Sequence, residues 1–163
     1  MRVETDRLWL SRPLLSDAPQ LLSFLGDADA MQHTVRLADL RACRRHIAGH
    51  ECQRKRLGYG PWTVRSKRDE RIVGFGGLYD DPFDPGWGAE IGYRFAPIAW
   101  GRGFATELTR FCLELAQRQF GLAVVRAFVH PANTASRRVL EKAGFEAVRF
   151  LPDMNRHLYE HRR

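Results

Sequence analysis

Between Gly88 and Ala116 the chain runs through a strand, a glycine-punctuated turn and a helix, and this order constrains the fold more than any other stretch. Glu90 to Phe95 reads as the strand, Gly101 and Gly103 relieve the steric limits of the turn, and Ala105 to Phe120 carries Leu108, Phe111, Cys112 and Leu115 at helical spacing. The first N–H groups of such a helix have no partner within it, so the turn presents a row of donors at a helix mouth. A diphosphate is the ligand that this geometry favours.

The rest of the chain supplies the surroundings of that unit. Leu8 to Arg12 is a short strand candidate ended by Pro13, and Ser16 is the expected N-cap of a helix from Asp17 to Leu25. A second helix is predicted from Ala38 to Leu57, with Leu40, Cys43 and Ile47 inward and Arg41, Arg44, Arg45, Arg54, Lys55 and Arg56 on a solvated face. Trp62 to Arg65 and Arg71 to Gly77 form a predicted hairpin with its tip at Lys67 to Glu70. Ala123 to Val129 reads as a core strand. Asn133 opens a helix that reaches Ala143, where Gly144 stops it, and Phe145 to Phe150 and Arg156 to His161 are the last strands. The order is mixed α/β of α+β character, without repeat or linker, so residues 1–163 are expected to form one domain.

Charge and cysteine usage narrow the function. With 26 Lys and Arg against 19 Asp and Glu the net charge is +7, which favours anionic partners, an anionic cofactor as readily as a nucleic acid. No aromatic or base-reading pattern accompanies the arginine-rich helix, so no specific nucleic-acid partner is expected. Cys43, Cys52 and Cys112 form neither a pair nor a metal-like cluster, and the opening M-R-V-E-T-D-R-L-W-L lacks the apolar core of a signal peptide. No run approaches the roughly 20 apolar residues of a membrane span. A cytoplasmic protein without membrane contact, monomeric or homodimeric, is expected. His46 and His50 stand one helical turn apart but lack a third ligand, so they read as a surface pair and no metal is expected. No phosphate loop of the G-x-x-x-x-G-K type occurs.

Around Trp100 the sequence W-G-R-G-F-A resembles the acyl-coenzyme A pyrophosphate loop of the GNAT N-acetyltransferase superfamily, with Gly103 and Ala105 at its small-residue positions. Trp100 stands where Gln or Arg is usual, a replacement familiar in the ribosomal-protein acetyltransferase (RimJ/RimL-like) branch. N-T-A-S-R-R-V-L-E-K-A-G-F, from Asn133, resembles the family's second signature, and E-T-D-R-L-W-L-S-R-P resembles the RimJ/RimL-like start. The resemblance spans nearly the whole chain. It implies an acyl-CoA N-acyltransferase fold: a central, mostly antiparallel twisted sheet, splayed at the cofactor site between Gly88–Phe95 and Ala127–Val129, and flanked by helices.

The resemblance also implies roles. The amides of Gly101, Arg102, Gly103, Phe104 and Ala105 are expected to meet the diphosphate of acetyl-CoA; the Arg102 side chain is either a charged arm or a solvent-facing turn residue. A backbone amide near Phe95 would polarise the thioester, and Asn133 would pair with the pantetheine arm as well as cap its helix. Arg138 and Lys142 are candidates for the adenosine phosphate, against a solvated helix face. Ser136 is a candidate proton donor to the departing thiolate, against a simple helix-start serine. Leu140 occupies the position where the family implies an acid tyrosine, and Tyr93 is a lesser candidate. Glu90 is a candidate base for the incoming ammonium, against a salt-bridged surface role. Attack is expected to be direct, with no acyl-enzyme, and Cys112 belongs to the core.

For the acceptor, Asp27 and Asp29 in the segment between the first two helices, and the loop from Asp80 to Gly86, could attract an amine. Trp62, Phe83 and Trp87 offer aromatic walls. The acceptor is therefore expected to be a primary amine, on a small molecule or a protein N-terminus. The alternatives are an acyl-CoA binding or regulatory module without turnover and, on charge alone, an RNA-associated protein.

Overall fold

A computed structural model describes residues 2–163. In chain order these form β1 (Arg2–Glu4), β2 (Leu8–Ser11), α1 (Ala18–Leu25), α2 (Leu40–Leu57), β3 (Trp62–Ser66), β4 (Ile72–Tyr79), β5 (Glu90–Phe95), α3 (Phe104–Arg118), β6 (Val124–Val129), α4 (Thr134–Lys142), β7 (Glu146–Leu151) and β8 (Arg156–Arg162). All eight strands join one twisted sheet in the order β1-β2-β3-β4-β5-β6-β8-β7. Every neighbouring pair is antiparallel except β5 and β6. Among the described residues no helix is long and apolar enough to cross a membrane.

The sheet is covered on both faces. Ala18, Leu21, Phe24 and Leu25 of α1 and Cys43 and Ile47 of α2 pack with Ile72 and Phe75, while Leu108, Cys112 and Ala116 of α3 pack with Leu8, Val64, Ile91 and Val125. Each fully buried leucine contributes about 1.5–3 kcal/mol by leaving water. Cys112 is in the core, as expected.

Tertiary contacts reset several local expectations. Asp17, not Ser16, ends the lead into α1: its buried carboxylate accepts from the Leu14 N–H at 3.0 Å, the Thr63 hydroxyl at 3.0 Å and Arg65 at 2.9 Å, tying the helix start to β3. α2 begins at Leu40 because the Asp39 carboxylate accepts from the Ala42 N–H at 2.8 Å, and Leu40 stays 37% exposed. Arg54 leaves the basic outer face of that helix altogether. It is buried, pairs with Glu51 at 2.7 Å, donates to the Pro61 carbonyl and lies over the Trp62 ring. β1 had no periodic signal, being three polar-flanked residues that only the edge of β2 makes into a strand.

The feature that positions the site is the β5–β6 junction. Its register consists of the single pair Glu90↔Arg126, supported by the Arg126 N–H donating to the Ala89 carbonyl at 2.9 Å. Beyond that pair the two strands separate, and the ladder between them stops.

Candidate active site

One cavity of about 1450 Å³ occupies that separation and runs from the loop before α3 to the face of the sheet under α2. At one end are Trp100, Gly101, Gly103, Phe104, Ala105 and Thr106. Gly101 and Gly103 both take left-handed backbone angles, φ 73° and 77°, which a side chain would oppose. Gly103 caps α3 without any side-chain hydrogen bond, so the first-turn amides are available to an anion. This donor set fits the diphosphate of coenzyme A. Arg102 does not line the cavity: it is exposed, and its carbonyl accepts from Arg7 at 2.6 Å. Arg7 also reaches Glu107 at 2.7 Å, and Glu107 takes further bonds from the Arg7 N–H and the Thr5 hydroxyl. Burial works against that carboxylate, but the bonds from Thr5 and Arg7 hold it below the usual range.

Trp100 is 50% exposed and its indole N–H donates to the Phe95 carbonyl at 2.9 Å, folding the loop back on the end of β5. Phe95 lines the cavity and packs near Phe104. Across the split, Ala127, Phe128 and Val129 form the opposite wall, and α4 contributes Asn133, Ser136, Arg138, Leu140 and Lys142. The Asn133 side chain accepts from the Ser136 N–H at 3.1 Å. The Ser136 hydroxyl lies 2.9 Å from the Tyr93 hydroxyl, which joins β5 to α4 across the cavity. Burial pushes the Tyr93 phenol up to about 12, the serine bond working against that rise.

Glu90 is 5% exposed and lines the cavity where the strands part. Its carboxyl is pushed up to about 8, first by burial and then by Asp81, Asp80 and Asp84, with Arg126 partly offsetting them. Being buried and, among the described residues, without an ion pair, Glu90 is not a surface salt-bridge residue. Among the described residues no group of three or more His, Cys, Asp or Glu could share a metal ion.

The acceptor residues divide. Phe83 lines the cavity, its ring stacked on His46 at 5.4 Å and lying over Gly49, where a Cβ would collide with it. Trp62 faces the core instead, held between strand packing and Arg54. Trp87 packs edge-on against Phe128 at 5.0 Å outside the cavity lining. Asp27 and Asp29 also lie outside that lining, and the Asp27 carboxylate is used by the Ala30 N–H at 2.7 Å. Turn formation claims Asp27, just as the core claims Trp62.

His46 and His50 correct a further expectation. They are not a surface pair: both line the cavity beside Phe75, Tyr79 and Arg94, and His50 is 4% exposed. Their spacing of one helical turn was visible, but α2 buries this stripe only because β4 and the Phe83 loop close over it. Arg94 shares the strand face of Glu90 and was legible by the same period of two.

A family profile described as an acetyltransferase (GNAT) domain matches residues 7–146. The uncharacterized protein YkkB of Bacillus subtilis (strain 168) is 32% identical over 158 residues, covering 95% of this chain and 91% of its own. An acetyltransferase from Agrobacterium tumefaciens str. C58 superimposes with a TM-score of 0.84 at 20% identity, over 100% of this chain and 95% of the other. RimL, a ribosomal L7/L12 alpha-N-protein acetyltransferase in complex with coenzyme A, superimposes with a TM-score of 0.83 at 16% identity, over 99% and 98%.

Proposed function

The chain belongs to the GNAT acetyltransferase family, and from that premise we propose that it moves an acetyl group from acetyl-CoA to a primary amine by direct attack. The observation that carries the reading is the continuity of one cavity from the free amides at α3 through the β5–β6 split to Glu90. Bound acetyl-CoA supplies an acetyl group activated as a thioester. The amides of Gly103 to Ala105 hold its diphosphate, with Arg138 and Lys142 on the α4 side for the further phosphate. Glu90 takes a proton from the acceptor ammonium, and its raised affinity for that proton suits a base that works near neutrality. The neutral amine then forms the new C–N bond while the C–S bond breaks, and the proton that its nitrogen sheds as the amide forms replaces the one given to the departing sulfur. Ser136, with Tyr93 behind it, returns a proton to the departing sulfur, a pairing that compensates for Leu140. The cavity walls hold the amine in line with the thioester, and such alignment replaces a bimolecular encounter by one within the complex.

Trp100 and the opening residues from Glu4 support a place on the RimJ/RimL-like branch, and the acceptor is either a protein N-terminus or a small molecule. Incubation with labelled acetyl-CoA and an amine panel tests the reading. Acetylated amine and free thiol should appear in equal amounts. Coenzyme A binding by calorimetry without turnover on any amine would reduce the protein to a cofactor-binding module.

A further inference from the structure

β5 points Arg94 into the same cavity as Glu90, because residues two apart on a strand share a face, and over Gly92 between them lies the Tyr79 hydroxyl. No carboxylate among the described residues lies within ion-pair distance of this guanidinium. Its hydrogen bonds go to neutral groups, the His46 Nε2 at 2.5 Å and the Val35 carbonyl at 3.4 Å, and it lies 5.7 Å from the centre of the Phe75 ring. Desolvation, followed by the Arg94 charge, holds His46 near pKa 2, so the ring is an uncharged acceptor that orients the guanidinium without neutralising it. Buried charges are as a rule paired. A half-buried cation that faces a cavity without a partner leaves that pairing to what fills the cavity.

His50 is independent support for a polar ligand on this wall. It is 4% exposed, its ring lies 4.6 Å from that of His46, and its Nδ1 has no hydrogen-bond partner among the described residues. Phe75 and Phe83 flank the two imidazoles with apolar rings. At the other end of the strand face the carboxylates of Asp81 and Asp84 act on Glu90, which favours a cation there. The cavity thus has an acidic end and a cationic end, with aromatic walls between. Four residues of strand place the Glu90 and Arg94 Cα atoms about 13 Å apart, with the Tyr79 hydroxyl between them as one of those aromatic walls.

We propose that the acceptor is a small amine that also carries a carboxylate, with the carboxylate paired to Arg94 and the amine toward Glu90. This rests on reading the cavity as the acceptor site of an acetyltransferase. Two matched pairs test it: phenylalanine against phenethylamine, and 6-aminohexanoate against hexylamine, each titrated by calorimetry into protein saturated with coenzyme A and assayed for acetylation. At least one acid should bind tenfold or more tightly than its decarboxylated counterpart. Arg94→Gln should abolish that preference, and Arg94→Lys should restore most of it, with coenzyme A affinity unchanged in both. Failure of both acids to bind, or equal or tighter binding by the decarboxylated amines, overturns the proposal, as does equal weakening of both members by Arg94→Gln. The wild-type comparison decides even if a variant does not fold. Preferred binding of an acid without acetylation would sink the transferase reading alone, whereas acetylation without carboxylate preference would sink only this proposal.

Discussion

Glu90, the proposed base, is buried where nearby carboxylates disfavour its charge, and the consequences for rate and for stability can each be measured. With its carboxyl raised to about 8, the chemical step should accelerate as pH rises through that value, and E90Q should lose this limb of the profile in pre-steady-state acetyl transfer. Stability moves the other way. An unfolded glutamate titrates at ~4.3, so between that pH and about 8 the folded state holds a proton that the unfolded state has released. The stabilisation is complete below the lower value and lost as pH rises through the upper. Melting scans should therefore show wild type losing stability relative to E90Q between pH 5 and 8; parallel curves would mean Glu90 is not perturbed. At the Tyr93–Ser136 pair, S136A and Y93F should each slow turnover modestly and leave acetyl-CoA affinity nearly unchanged, since a thiolate leaves readily and water can stand in for the serine. Wild-type single-turnover rates in both variants would make the pair structural. That Glu90 faces the cavity was legible from the strand period, while Ser136 was singled out by the family resemblance and lines the cavity too. Tyr93 was harder to weigh, since its partner lies 43 residues away on another element. His46 and His50 were misread for a different reason: arginines surround them in sequence, while the sheet surrounds them in space.

The α3 mouth is the element that sequence rendered best, because its requirements are local: glycines for left-handed angles and an amphipathic run behind them. Gly103→Val should strain φ 77° and push a side chain toward Arg7, whose Nη2 would stand 3.3 Å from a Cβ. Calorimetry should then report a loss of more than tenfold in acetyl-CoA affinity, about 1.4 kcal/mol; unchanged affinity in the folded variant would remove this loop from the site. What the sequence could not convey is that the loop is braced from the N-terminus. Glu107 gathers Thr5 and Arg7, and Arg7 holds the Arg102 carbonyl, so two segments about 100 residues apart share one carboxylate. Its pKa is held low, so this brace is present at neutral pH and lost as pH falls through the folded value. E107Q should accordingly weaken acetyl-CoA binding at pH 7 while narrowing its difference from wild type in acid, and a constant difference across pH would assign the effect to packing instead. Asp17 and Arg54 illustrate the same limit: one was expected only to open a helix and the other to lie on a solvated face, and each is buried because a distant strand or turn supplies its bonds.

Across the whole molecule, an eight-stranded sheet is interrupted in one place, and the interruption is where a ligand can complete it. β4–β5 pairs along six residues and β6–β8 along six, whereas β5–β6 is held at Glu90↔Arg126 alone. Backbone groups on the open stretch are left without a ladder, and unpaired groups in a closing site need partners. The pantetheine arm is an amide-bearing chain of the right chemistry to provide them. Any ligand that binds only the folded state adds stability, about 2.7 kcal/mol at one hundred times its Kd, and for a domain of this size a shift of roughly 5–10 °C in melting temperature follows. That global gain does not locate the ligand. Native-state hydrogen exchange does, because amides that open by local fluctuation report their own neighbourhood, while those that exchange only on global unfolding shift together. On saturation with coenzyme A, residues 91–96 and 126–130 should gain protection beyond that of the β3–β4 hairpin, which is paired on both sides of its one register shift and borders no split. Protection confined to the first turn of α3 would mean that the diphosphate docks while the arm stays out of the split, and the sheet's interruption would then need another explanation.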